Sequence, residues 1–271
     1  MFTITSITMK ILRVVHIIPL GFERSIVTRA IRKIGGEKVH ILSIGPENAR
    51  LRDPDLYKKQ QYFTYAVIND LRKMGYEVEF HDVDLFNFES ALSKISELIV
   101  QEKTRGARVY INISAFGRLI AVVASLAGWY HDCTVYYVEP DRYYENEEEF
   151  FKYGRSVCID PEIIELPKIE IAKLSEEERF TLSFLINKGG QAKTDEILKA
   201  LEKKFQEFKI ECKDRSEYRR EYQKVINKLN RRILDKLESK KYIERIKAGR
   251  YNRIDLTDEG KIIALLERGT F

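Results

Sequence analysis

The sequence is poor in cysteine: 271 residues contain three, Cys133, Cys158 and Cys212, with no CxxC pair among them. A disulfide framework and a zinc ribbon are therefore excluded, and a reducing cytoplasm is the expected setting. Long apolar runs are missing too. The longest apolar passage, 109–130, is interrupted by Asn112, Ser114 and Arg118, which are too costly in hydrocarbon for a transmembrane span. Residues 1–10 have no basic region followed by an apolar stretch and a small-residue cleavage site, so they read as an extension, with Met9 as an alternative start, and not as a secretory signal. The common nucleotide signatures of α/β enzymes are also lacking. No GxGxxG follows the first apolar strand, the second strand ends Ser43-Ile44-Gly45 without an acidic residue, and no GxxxxGK[ST] occurs, which excludes a dehydrogenase and a P-loop NTPase. His16 lies inside an apolar strand and reads as a satisfied core residue. His40, His81 and His131 show no metal-ligand spacing with a cysteine or carboxylate, so neither metal nor cofactor is expected.

What is present is enough chain for two domains, with 44% hydrophobic and 33% charged residues. Charge is unevenly placed. Residues 173–271 carry 25 Lys and Arg against 18 Asp and Glu, whereas residues 1–172 carry 22 against 24. Within 213–253 the ratio is 15 to 6, a density suited to phosphate contacts, the plainer alternative being a solvated helix.

From residue 13 to 140, short β-branched runs alternate with helical periodicity, as in βαβ units around a parallel sheet. Strands are predicted at 13–18, 38–43, 76–82, 108–113 and 134–139, and helices at 23–34, 56–74, 88–103 and 116–131. Gly35, Gly75, Gly106 and Gly128 fall where helix C-termini are expected. In a 3-2-1-4-5 strand order, ligands bind beyond the carboxyl ends of strands one and four, where the order reverses. After those strands come Pro19-Leu20-Gly21-Phe22-Glu23-Arg24 and Asn112-Ile113-Ser114-Ala115-Phe116-Gly117-Arg118. Gly21, Phe22, Arg24, Asn112, Ser114, Ala115, Phe116, Gly117 and Arg118 are thus the candidate ligand residues, offering backbone amides, a hydroxyl and two guanidinium groups to an anion. Each also has a plain alternative role: Asn112 capping the turn, Ser114 capping the next helix, Arg118 pairing with Glu139, and Phe116 packing in the core. The acidic run 145–149 reads as a solvated loop or a helix start.

The Asn112-x-Ser114-x-x-x-Arg118 loop resembles the [DN]-x-[ST]-x-x-x-[KR] motif of the CRISPR-associated Rossmann-fold (CARF) family, and the whole chain resembles archaeal CARF and winged-helix regulators, including a branch with HIIPLGFER, here His16 to Arg24. The resemblance implies a homodimer that holds a cyclic oligoadenylate, most often the tetra-adenylate, across its two-fold axis. Asn112, Ser114, Arg118, Gly21 and Phe22 match the family's motif positions, and Phe116 and Tyr143 are candidates to stack on adenine.

Residues 142–173 lose the alternation and, with Pro161 and Pro167, read as a linker containing an extended piece at 168–172. That leaves a CARF-like Rossmann domain at 1–141 and an α+β winged helix-turn-helix domain at 174–271. Ser175 and Glu178 have capping-box spacing, Gly189-Gly190 ends the helix they open, and a second helix follows Thr194-Asp195. A third pattern, 216–240, has an apolar face of Tyr218, Tyr222, Val225, Ile226, Leu229, Ile233 and Leu237, and its start is blurred by the long segment 205–215. Its other face presents Arg219, Arg220, Gln223, Lys224, Asn227, Lys228, Asn230 and Arg231, residue types that reach phosphates and base edges. Two strands joined at Gly249 make a wing with Lys247, Arg250 and Arg253. The order of 232–245 and the Leu256-Thr-Asp-Glu-Gly-Lys261 turn resembles the MarR-like winged helix. Together these features lead to a cytoplasmic, ligand-responsive transcription regulator that binds double-stranded DNA and is not an enzyme. The alternatives are a ring nuclease that cleaves its cyclic ligand, with no evident general base near those loops, and a regulator sensing another anionic metabolite.

Overall fold

A computed structural model describes residues 13–48, 53–169, 171, 173–210, 215–248 and 251–269. The extension, Cys212, Gly249 and Arg250 lie outside these residues. The chain divides into two units, Met1–Ile171 and Ala172–Phe271.

In the first unit, β1 (Val14–Pro19), α1 (Ser25–Ile34), β2 (Lys38–Ser43), α2 (Pro54–Lys73), β3 (Glu77–Asp82), α3 (Phe88–Thr104), β4 (Arg108–Asn112), α4 (Arg118–Tyr130) and β5 (Thr134–Glu139) alternate, each near its predicted span. The five strands are parallel, in the order β3-β2-β1-β4-β5. Right-handed crossovers running one way across a sheet put their helices on one face, and the return direction uses the other face. Accordingly α1 packs with α2 and α3 with α4. Near-continuous burial along β1 and β2 is what a strand covered on both faces requires.

Gly35, Gly75 and Gly106 close their helices at positive φ, as expected of C-terminal glycines. Gly128 differs: it lies inside α4, where an added Cβ would overlap Val135 of β5, so its role is close packing of helix on strand.

Residues 142–165 of the expected linker are part of this fold. They form β6 (Arg142–Tyr143), α5 (Glu147–Tyr153), β7 (Ser156–Val157) and β8 (Glu162–Glu165), and β8 pairs antiparallel with β5 as a sixth strand. A strand thus stands at 162–165, while the extended piece expected at 168–172 falls partly outside the described residues. The acidic run opens α5, where Asn146 accepts the Glu149 N–H at 2.9 Å and carboxylates favour the positive helix terminus. Phe150 lies 5.0 Å from Phe63 of α2, an apolar anchor that sequence periodicity over seven helical residues does not display.

The second unit comprises α6 (Glu176–Asn187), β9 (Gln191–Lys193), α7 (Thr194–Lys204), α8 (Arg215–Leu229), a π-helical turn (Asn230–Leu234), α9 (Asp235–Ser239), β10 (Ile243–Ala248), β11 (Tyr251–Leu256) and α10 (Asp258–Leu266). The Ser175 and Glu178 capping box is formed. Strands β10, β11 and β9 make an antiparallel sheet beside the helices, which is the winged-helix architecture. Leu182, Leu185, Leu198, Leu229, Ile233, Leu237 and Ile254 meet in its core. Tyr218, predicted on the apolar face of α8, is exposed and stacks on Tyr222 at 6.0 Å. The Leu-Thr-Asp-Glu-Gly turn has a steric logic: Thr257 accepts the Gly260 N–H at 3.0 Å, and a Cβ on residue 260 would overlap the Tyr242 carbonyl oxygen.

Candidate functional site

The loops after β1 and β4 meet at the carboxyl end of the sheet, where Gly21 donates its N–H to the Ala115 carbonyl at 2.7 Å. Between them opens a cavity of 300 Å³ at the strand-order reversal, lined in part by Gly21, Phe22, Ala115, Phe116 and Gly117. A Cβ on Gly21 would press on the Phe116 ring and the Ala115 carbonyl, so glycine lets the loops close. Gln60, reaching over from α2, donates to the Leu20 carbonyl at 2.8 Å and to Ser43 Oγ at 3.0 Å, tying the β1 loop and the end of β2 to the cavity wall. Phe86 stands edge-on to Phe116 with centroids 5.4 Å apart, forming the aromatic side of the pocket.

Asn112 and Ser114 are turned into the scaffold and do not line the cavity. Asn112 is fully buried, accepts the Ser114 N–H at 2.8 Å and donates to the Tyr136 hydroxyl at 3.3 Å. Ser114 Oγ accepts the Val138 N–H at 2.6 Å, which stitches the β4 loop to β5. Of the simple alternatives, Asn112 does cap its turn. Ser114 does not cap α4, whose N-cap is Gly117. His16 is satisfied in the core by the Gly35 carbonyl at 2.8 Å.

The two expected guanidinium groups separate. Arg24 makes a two-pronged ion pair with Asp70, at 2.7 and 3.1 Å, so its charge is already neutralised and it is not among the lining residues. Arg118 is exposed at the first turn of α4 and, among the described residues, forms no ion pair with Glu139 or any other group. Helices α1 and α4 begin without a capping side chain or an acidic residue in the first turn, whereas α2, α3, α5 and α6 start with a side-chain cap. Unsatisfied amides and a free guanidinium at α4 favour an anion. Tyr143 is exposed and does not line the cavity.

Sequence reasoning missed Arg155 and Glu23. The segment before β7 crosses the β1 loop: Arg155 N–H donates to the Phe22 carbonyl at 2.9 Å, and Arg24 N–H donates to the Tyr153 carbonyl at 3.2 Å. Gly154 sits at the crossing with φ +94°, and a side chain there would also collide with the backbone of residues 22–24. The crossing carries Arg155 to the cavity wall, its guanidinium 5.1 Å from the Phe22 ring centre. Beside it, Glu23 is buried and its pKa is pushed up to about 7 by that burial, opposed by hydrogen bonds from the Ser156 N–H and hydroxyl, both at 3.0 Å, and by Arg155. No spacing rule could find a partner 133 residues away.

In the second unit, Arg219, Arg220, Gln223, Lys224, Asn227 and Arg231 are exposed along α8 and the turn after it. Gln223 donates to Asn227 at 3.2 Å and Lys224 pairs with Glu221 at 2.6 Å, exposed contacts that a phosphate readily replaces. Lys228 is less available: it donates to the Glu207 carbonyl at 2.9 Å and lies over the Phe208 ring. On the wing, Lys247 is exposed, while Arg253 is held two-pronged by Asp255 at 2.7 and 2.8 Å. Among the described residues no helix is long and apolar enough to cross a membrane.

Three groups whose sequence spacing shows no metal-ligand pattern are brought together by the fold. Strand register sets His40 opposite Glu79, and ligand atoms of His40, Glu79 and His81 lie within 4.8 Å of one another. Residues far apart in sequence became neighbours only through β2 and β3 pairing.

Residues 14–143 match the family described as "HFX_2341_N:-like, N-terminal", and residues 177–268 match the DUF6293 C-terminal winged helix domain. Among solved structures, Enterococcus italicus Csm6 bound to cyclic hexa-2'-fluoro-hexa-dAMP is 13% identical with a TM-score of 0.42, covering 84% of this chain and 58% of its own. Protein VC1899 from Vibrio cholerae is 13% identical with a TM-score of 0.42, covering 94% and 66%. Can2 from Sulfobacillus thermosulfidooxidans in complex with cyclic tetra-adenylate is 11% identical with a TM-score of 0.36, covering 92% and 63%. The chain thus spans less than two thirds of the length of these structures, and at such TM-scores none of them assigns a ligand to it. No curated protein matches the chain.

Proposed function

We propose, for a chain that joins an HFX_2341-like N-terminal domain to a DUF6293 winged helix domain, a ligand-responsive DNA-binding regulator of the CARF and winged-helix type. One observation carries this reading. A cavity at the sheet's reversal point is walled by Arg155 and reaches Gly117 at the uncapped start of α4, next to which Arg118 is exposed without lining the cavity, in a chain whose other domain exposes Arg219 and Arg220 on α8 and Arg231 on the turn after it. The ligand would be a phosphate-bearing nucleotide with its base between Phe116 and Phe22, and a cyclic oligoadenylate, the tetra-adenylate first, fits the resemblance of the Asn112 to Arg118 loop. At 300 Å³ the cavity is at the low end for ligand sites, so a ring of several nucleotides would be shared by two copies across a two-fold axis, in the cytoplasm. Titration calorimetry with a panel of linear and cyclic oligoadenylates tests the ligand. Saturable binding that is lost in Arg118→Ala supports it, and no heat with any member refutes it.

Binding rather than cleavage is the proposed role. Glu23 favours the second reading, ring cleavage, because a carboxyl with a pKa near 7 in the cavity wall suits a general base. Against it, both Glu23 oxygens are taken up by Ser156, which suits a positioning role. Incubating radiolabelled cyclic tetra-adenylate with the protein and with Glu23→Gln decides between them. Intact ligand in both fits the sensor, and products formed only by the unmodified protein fit the nuclease.

A further inference from the structure

We propose that His40, Glu79 and His81 form a binding site for a divalent cation of the zinc class, separate from the nucleotide cavity. In a parallel pair, side chains at alternate positions share one face, so the register that sets Lys38 opposite Glu77 and His40 opposite Glu79 gathers residues 38, 40, 77, 79 and 81 there. Three donor atoms converge. His40 Nδ1 lies 2.9 Å from His81 Nε2 and 3.3 Å from Glu79 Oε2, and His81 Nε2 lies 3.9 Å from Glu79 Oε2. Tetrahedral ligands at about 2.0 to 2.1 Å from zinc are about 3.3 Å apart, so these three edges bracket the requirement.

The surroundings prepare His40 as a ligand. Its other nitrogen, Nε2, faces Glu102 Oε1 at 3.0 Å, and a carboxylate accepts, so Nε2 carries the proton and Nδ1 presents its lone pair. Metal-bound histidines are oriented by this kind of carboxylate contact. Glu102 is itself fully buried and held by Lys38 at 3.0 Å and Arg105 at 3.2 Å. Lys38 also fixes the second Glu79 oxygen at 2.7 Å, leaving Oε2 toward the histidines. The charge around the cluster is Lys38, Arg105 and Lys94 against Glu77, Glu79, Glu97 and Glu102, so a bound dication is not placed in a purely basic setting. Access comes from solvent: Glu79 is 44% exposed and His81 borders a surface cavity with Lys94 and Asp82, leaving a fourth position for water. Two imidazole nitrogens with one carboxylate select zinc over magnesium or calcium.

The cation would bridge the edge strand β3 to β2. The test uses the full chain stripped with chelator and titrated with ZnCl₂ by calorimetry, and with CoCl₂ followed by visible absorption. One equivalent bound per chain, a tetrahedral cobalt spectrum and a raised melting temperature are expected. His81→Ala and Glu79→Gln, both partly exposed, should each weaken binding more than about ten-fold, with His131→Ala unchanged. Lack of saturable binding, or binding that survives His81→Ala, would overturn the site and leave the 2.9 Å contact as a hydrogen bond between imidazoles.

Discussion

The Arg155 guanidinium lies 5.1 Å from the centre of the Phe22 ring, so the folded connector supplies a cation to a wall that the first βα loop begins. Charge-assisted contacts to a phosphate are worth roughly 1.5 to 3 kcal/mol, whereas the cation–π contact with Phe22 is present without ligand and only orients the guanidinium. Arg155→Ala is accordingly expected to weaken binding of a phosphate-bearing ligand by about ten- to a hundred-fold with little change in melting temperature, because the side chain is exposed. Calorimetry paired with a thermal melt checks both parts.

Glu23 gives the unit a pH dependence whose sign is fixed. Its folded pKa of about 7 is above the ordinary carboxylate value, so between about pH 4.5 and 7 the folded state holds a proton that the unfolded state has released. Stability from this group is therefore full at low pH and falls as pH rises through 7, by on the order of 3 kcal/mol. Urea melts at about pH 4 and 8 should show the loss, and Glu23→Gln should flatten it. Affinity for an anionic ligand should fall over the same interval as the wall gains negative charge.

Gly260 has no room for a methyl group against the Tyr242 carbonyl. Gly260→Ala is expected to destabilise the winged helix domain by ~1 to 3 kcal/mol or more, as overpacking against backbone does. Circular dichroism melts would reveal an early transition, with ligand binding by the first unit retained.

On α8, Arg219 and Arg220 are exposed. Each phosphate contact removed reduces the slope of log K against log salt by about 0.9. The double variant Arg219→Ala/Arg220→Ala should lower that slope by roughly 1.8. Lys228→Ala should change it less, since Lys228 is engaged with Glu207. Fluorescence anisotropy on duplex DNA across a salt series measures both.

Much of this was legible in the sequence because periodicity and capping are local. Alternating β-branched runs placed five strands, their 3-2-1-4-5 order came from the doubly wound fold type, and Ser175 with Glu178 announced α6. What escaped was non-local. The connector looked like linker since β8 is stabilised by pairing with β5, and Arg155 reaches the cavity only through Gly154 crossing the β1 loop. Residue type also misled about direction: Arg24 had the right chemistry beside the crevice but found Asp70, and Asn112 and Ser114 turned inward to Tyr136 and Val138. Histidines 40 and 81 needed strand register to become neighbours.

The most direct test is the affinity of the full chain for a selected duplex, measured by anisotropy with and without saturating cyclic tetra-adenylate. Ligand-dependent control predicts a change in Kd of at least about five-fold, absent in Arg118→Ala, which should still bind the duplex. Equal Kd values with and without ligand, under conditions where calorimetry shows both ligand and duplex bound, would contradict it.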